Sequence, residues 1–188
     1  ANIASCRSSI ARLSPNGRAG SGGFDMIAVI GCGNANRKDD AVGIEVISLL
    51  RRRDDIRTRE DVRLLDAGTD GMSVMYAARG CDALIIVDSS KTASEPGSIF
   101  EVPGEHLESQ HSPSLNLHDF RWDHALFAGR KLFRDQFPAD VTVFLIEAGD
   151  LSLGIGLSPE IDAAAAIVAD RVAARLASIA PSDAVGAA

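Results

Sequence analysis

M-I-A-V-I-G-C-G-N-A-N-R-K-D-D-A-V-G, from Met26 to Gly43, is the stretch whose reading decides the fold. A short apolar run rich in β-branched residues, Ile27 to Ile30, breaks at Gly31 and Gly33, and the chain re-emerges as a helix led in by Asp39 and Asp40. The pattern predicts a strand, a tight loop and a helix. It does not meet the dinucleotide fingerprint, which needs a third glycine where Asn36 stands, and adjacent carboxylates would crowd the pyrophosphate. A phosphate loop fails as well, because Asp39 follows Lys38 where Ser or Thr is required. An acidic loop at the carboxyl end of a strand suits a cation better. A helix cap accounts for one of the two carboxylates, Asp39 or Asp40, and leaves the other unexplained.

Working outward, the first helix runs from about Asp40 to Arg53, with Val42, Val46, Leu49 and Leu50 on one face. Arg51, Arg52 and Arg53 suit its carboxyl end and read as a solvated terminus rather than a docking patch. Val62 to Ala67 is a second strand, opening into the polar loop Asp66-Ala-Gly-Thr-Asp-Gly71 and a helix from Met72 to Arg79. Ala83 to Val87 is an uninterrupted apolar run of the kind found at the centre of a parallel sheet, stopping at Asp88. Gly97 to Val102, reached by a short turn, is expected as an antiparallel edge. From Pro103 to Leu117 the chain is polar and irregular, long enough for a functional loop, and it delivers His118. His106 and His111 read as surface residues. A helix from Trp122 to Phe133 carries His124, and Val141 to Ile146 is the last strand. The final helix opens at the cap Ser158 with Pro159 in first position and runs to Ile179, with Ile161, Ala165, Val168, Val172 and Leu176 on its core face.

This order predicts a three-layer α/β/α sandwich with a mostly parallel sheet of about five strands and an antiparallel edge strand. One domain is expected over residues 26–180. Ala1 to Asp25 has a transit-peptide composition but no apolar stretch of the secretory kind, and reads as a disordered tail or as residues ahead of the true start at Met26. Residues 181–188 read as a frayed end. The net charge of -7 argues against nucleic acid and anionic membrane as partners, and no apolar run approaches the ~20 residues of a bilayer span. Cys6, Cys32 and Cys81 have no paired spacing, which predicts a reducing cytoplasm. Cys32 reads as a small buried thiol.

In such sheets ligands sit beyond the carboxyl ends of the strands, and the topology brings Asp40, Asp88 and His118 to one edge. Two carboxylates and an imidazole suit a divalent transition metal such as nickel or zinc. The chain also resembles a known family, the maturation endopeptidases of [NiFe] hydrogenases. The resemblance spans Met26 to Ala177 and rests on Gly31 to Gly43, D-A-G-T-D-G-M (Asp66 to Met72), L-I-I-V-D (Leu84 to Asp88), the histidine ahead of a helix (His118) and G-L-S-P-E (Gly156 to Glu160). It implies a monomeric α/β enzyme that cuts a carboxyl-terminal extension from the hydrogenase large-subunit precursor after nickel insertion. It also implies Asp40, Asp88 and His118 as contacts to the nickel carried by that substrate, or to another divalent metal in its place. Asn34, Gly68, Thr69 and Gly71 fall beside the substrate, and Asp70 is the alternative base. Departures are the shorter Asp40 where the family often has Glu, and His124 as a rival to His118. A non-proteolytic checkpoint binding the metal-loaded subunit, and a nucleotide binder or small-molecule hydrolase, are the competing expectations.

Overall fold

Six consecutive buried residues form the first strand, β1 (Ile27–Cys32), in the computed structural model, which describes residues 26–108 and 120–179. β1 pairs in parallel with β2 (Val62–Gly68) on one side and β3 (Ala83–Ser90) on the other. β5 (Asp140–Glu147) continues the sheet in parallel beyond β3, and β4 (Ile99–Pro103) closes it as an antiparallel edge, giving the order β2-β1-β3-β5-β4. The expected architecture of five strands between two helical layers is the one observed.

Strand periodicity sorts the core into those layers. Ile27, Val29, Ile85 and Val87 face α1 (Val42–Arg51) and α5 (Pro159–Ser178), whereas Ala28, Ile30, Leu84 and Ile86 face α3 (Gly71–Ala78) and α4 (Trp122–Phe133). The five apolar positions expected on α5 are all buried. Among the described residues no helix is long and apolar enough to cross a membrane. Residues 1–25, 109–119 and 180–188, which include the expected tail, His111, His118 and the frayed end, lie outside the described residues.

The glycines of the first loop are there for close packing. A Cβ on Gly43 would lie 2.3 Å from the carbonyl oxygens of both Cys32 and Val87, and one on Gly31 would lie 2.2 Å from the Gly43 carbonyl oxygen. α1 is thereby seated directly on the ends of β1 and β3. Gly31 consequently does not break the strand, as its composition suggested, but continues it to Cys32.

Other boundaries also differ. A 3-10 turn, Lys38–Ala41, precedes α1, and neither Asp39 nor Asp40 supplies a side-chain cap. Asp39 instead is fully buried, and its carboxylate accepts hydrogen bonds from Gly149 N (3.0 Å), Asp150 N (2.7 Å), Ser158 N (2.7 Å) and Ser158 Oγ (3.1 Å). Ser158, expected to cap α5, spends its hydroxyl on Asp39. α1 ends at Arg51 rather than Arg53, and a short helix, α2 (Asp54–Arg57), follows. Its entry is fixed by Arg53, which bonds Asp55 and Asp170, while Arg52 pairs with Glu45. The basic triplet is thus a partly ion-paired corner.

Two stability predictions follow from these contacts. Gly43→Ala forces backbone apart at two strand ends and is expected to cost about 2 kcal/mol or more, read as a lower urea midpoint at unchanged slope. For Asp39, burial alone would raise the carboxyl pKa, but the donors from Ser158, Asp150 and Gly149 outweigh it and hold the group below its ordinary value. A depressed folded-state pKa gives stability that is complete above the unfolded value near 4 and lost as pH falls through the folded one. Asp39→Asn is therefore expected to be markedly less stable than the parent at pH 7, with the difference narrowing below about pH 4 in parallel urea titrations.

Candidate active site

A cleft of about 160 Å³ opens at the carboxyl ends of β1, β2 and β3. The β1–α1 connection contributes Gly33 and Asp40, the β2–α3 loop Gly68 to Gly71, β3 Asp88, and the start of α4 Arg121 and Trp122. Cys32 forms part of its wall.

Asp40 is held by a braced loop. Lys38, two residues before it, adopts the left-handed region (φ 41°), a conformation that needs support in a non-glycine residue. That support comes from residues 149–158: Lys38 N donates to Gly154 O (3.0 Å), Gly154 N to Asn36 O (3.0 Å), and the Lys38 ammonium pairs with Asp150. A Cβ on Gly33 (φ 133°) would strike the Asp40 carbonyl oxygen at 1.8 Å, so only glycine fits under the turn. Asp40 Oδ1 accepts from Ser89 Oγ (2.7 Å) and Oδ2 from Asn34 N (3.2 Å). Asn34 therefore acts on the cleft through its backbone, its side chain being turned to Asn36 N.

Asp88 is not a turn residue or a cap, because β3 runs on to Ser90 and Asp88 sits opposite Leu145 in the ladder with β5. It shares the parity of Leu84 and Ile86 and so faces the α4 side. There it is only 5% exposed, with Trp122 Nε1 donating to Oδ2 (2.7 Å), Ser89 N to Oδ1 (2.8 Å) and the Arg121 guanidinium 3.7 Å away. Burial pushes its pKa up to about 6, against the Trp122 and Ser89 hydrogen bonds and Arg121, while the charge of Asp40 adds to the rise. A buried carboxylate opposed by a second one in the same cleft is an environment that a cation would relieve.

Asp70 lines the cleft as the cap of α3, accepting from Met72 N (2.9 Å) and Ser73 Oγ (2.5 Å). The Ser73 hydroxyl, more than any other contact, holds its pKa below the ordinary value, which makes it a weak base. Gly71 N donates to Phe120 O (3.1 Å), and a Cβ there would meet the Phe120 and Arg121 carbonyls, so this glycine lets α3 touch the chain entering α4. Thr69 and Gly68 complete that wall. Burial and then the charge of Asp88 push the Cys32 thiol well up, leaving it protonated and no nucleophile. His124 is absent from the lining; its Nδ1 accepts from Arg121 N (3.4 Å) at the start of α4. His106 is exposed beside Glu105, as expected of a surface histidine. Among the described residues no group of three or more His, Cys, Asp or Glu could by itself hold a metal ion. His118 lies outside them.

Sequence reasoning missed Ser89, Arg121 and Trp122. The available signals were the parity of β3 carried past Val87, and an Arg-Trp pair at the helix entry after His118.

Such an acidic cleft at the carboxyl edge of a parallel sheet defines an α/β protein whose ligand sits at its strand ends. The family model described as HycI, hydrogenase maturation protease, matches residues 44–175, and the chain belongs to that family; it is a peptidase. The hydrogenase 2 maturation protease of Escherichia coli K12 is 30% identical over 140 residues, which are 73% of this chain and 82% of that protein. The structure is similar to hydrogenase maturating endopeptidase HybD from E. coli (TM-score 0.70, 26% identity, 83% of this chain and 94% of that one). It shares its fold with the maturation protease HycI from Thermococcus kodakarensis (TM-score 0.63, 20% identity, 83% and 95%). The checkpoint and nucleotide-binding expectations give way to this assignment.

Trp122→Phe keeps an aromatic ring at the position and removes the indole donor from buried Asp88. It is expected to cost about 1.5–3 kcal/mol, the range for a hydrogen bond to a charged group, in urea unfolding at pH 7.

Proposed function

We propose that this peptidase removes the carboxyl-terminal extension of a [NiFe]-hydrogenase large-subunit precursor after nickel has been inserted. Asp40 and Asp88, with His118 as third contact, grip the nickel carried by the precursor, or another divalent transition metal in its place. The observation that supports this most is the convergence of Asp40 and buried Asp88 on one cleft, where burial raises the Asp88 pKa to about 6. A nickel ion entering with the substrate would offset the charge that burial opposes. It thereby makes docking selective for loaded precursor.

Peptide hydrolysis then needs water to add to the scissile carbonyl and the departing amine to take up a proton. Held by Asp40 and Asp88, the substrate's metal would supply polarisation of the carbonyl or activation of the water. Asp70, committed to the cap of α3, keeps the β2–α3 wall in place, and Gly68, Thr69 and Gly71 present backbone to the extended peptide. The enzyme acts as a cytoplasmic monomer.

Intact-mass measurement of nickel-loaded and metal-free precursor, before and after incubation with the protein, tests this. A loss confined to the loaded precursor is expected; equal loss from both removes the metal gate, and no loss removes the substrate assignment. Asp40→Ala, Asp88→Ala and His118→Ala are each expected to lower kcat/KM about 100-fold or more, the scale of losing one electrostatic contact at a reacting centre. Normal processing by all three variants would overturn the ligand set.

A further inference from the structure

Ser89 stands between the two acidic groups of the cleft and bonds to both. Its backbone N–H donates to Asp88 Oδ1 (2.8 Å) and its hydroxyl to Asp40 Oδ1 (2.7 Å). The arrangement follows from strand geometry: successive side chains of β3 point to opposite faces, so Asp88 turns toward α4 while Ser89 turns toward the turn that leads into α1. Asp40 comes from that turn. The two carboxylates therefore approach from opposite sides of the sheet, and Ser89 is the residue through which their positions are tied.

From this geometry we infer that Ser89 is a positioning residue that fixes the separation and orientation of Asp40 and Asp88 and so tunes the grip on a divalent cation. The inference rests on the reading of those two carboxylates as metal contacts. The remaining oxygens are occupied by donors that each serve one carboxylate, Trp122 Nε1 on Asp88 Oδ2 and Asn34 N on Asp40 Oδ2. Without the Ser89 hydroxyl, Asp40 keeps one backbone bond at 3.2 Å and is less tightly confined to a single rotamer. The Asp88 side is unaffected, because the Ser89 N–H remains. Groups that orient metal-binding carboxylates in this way typically change affinity or activity by 10- to 100-fold when removed.

The test uses Ser89→Ala, Ser89→Thr and Asp40→Ala, with two readouts: kcat/KM for nickel-loaded precursor, and the Kd for Ni²⁺ titrated calorimetrically into the free protein. Ser89→Ala is expected to worsen both by about tenfold with an unfolding midpoint close to the parent's. Ser89→Thr, which keeps the hydroxyl, is expected to restore both to within about twofold, a rescue that a purely structural role would not produce. Asp40→Ala is expected to abolish nickel binding. If Ser89→Ala equals the parent in both readouts while Asp40→Ala fails, or if Ser89→Thr is as impaired as Ser89→Ala, the positioning role is overturned and the carboxylate site stands. If Asp40→Ala also processes and binds as the parent does, the site itself is overturned and Ser89 with it.

Discussion

The contact of backbone on backbone between Gly43 and the ends of β1 and β3 is the constraint on which the site depends. With no Cβ at Gly31, Gly33 or Gly43, α1 and the turn before it settle onto the strands at distances any side chain would forbid. Val42, Val46 and Leu50 are then driven fully into the layer shared with α5. The same approach fixes where the residues just ahead of α1 can stand. A glycine-rich loop of this kind is easily taken for a phosphate cradle, yet its glycines are filled by protein.

Adjacent carboxylates placed by that turn acquire opposite roles. Successive residues of a 3-10 turn point about 120° apart, so Asp39 and Asp40 cannot look the same way. Asp39 points into a nest of backbone N–H groups and the Ser158 hydroxyl, where its charge is fully satisfied and its pKa falls. Asp40 points to a cleft where it raises the pKa of Asp88. The fold lowers the pKa of Asp39 and raises that of Asp88. The sign of the pKa shift thus separates Asp39, a structural carboxylate, from Asp88 in the cleft.

Much of this was legible in the sequence because it depends on local pattern. The run Ala83–Val87 revealed the central strand, and the 3.6-residue spacing of Ile161, Ala165, Val168, Val172 and Leu176 revealed the buried face of α5. Trp122–Phe133 was expected at the bounds observed. What escaped depends on partners distant in the chain. Asp39 looked like a cap because its true donors lie 110–119 residues away. β3 seemed to stop at Asp88 because hydropathy stops there, whereas its ladder with β5 continues to Ser90↔Glu147. That misplaced end concealed Ser89 and Trp122, since both are identified only by which face Asp88 turns to.

The location of the site follows from chain handedness. From β1 the chain crosses through α1 to β2 on one side, then returns through α3 past β1 to β3 on the other. Parallel crossovers are right-handed, so two crossovers running in opposite directions along the sheet must place their helices on opposite faces. α1 and α3 do lie in different layers. Their entry loops therefore leave the carboxyl ends of the neighbouring strands β1 and β2 toward opposite faces and open a crevice there, which β3 borders with Asp88. Asp40 reaches it from the α1 side, and Asp88 turns toward the α4 side from the strand that forms its far wall. Because β3 borders both sides, a residue one step beyond Asp88 is the place from which a single side chain and its own amide can reach both acids. The topology creates the crevice, and the period-two geometry of β3 allows Ser89 to span it.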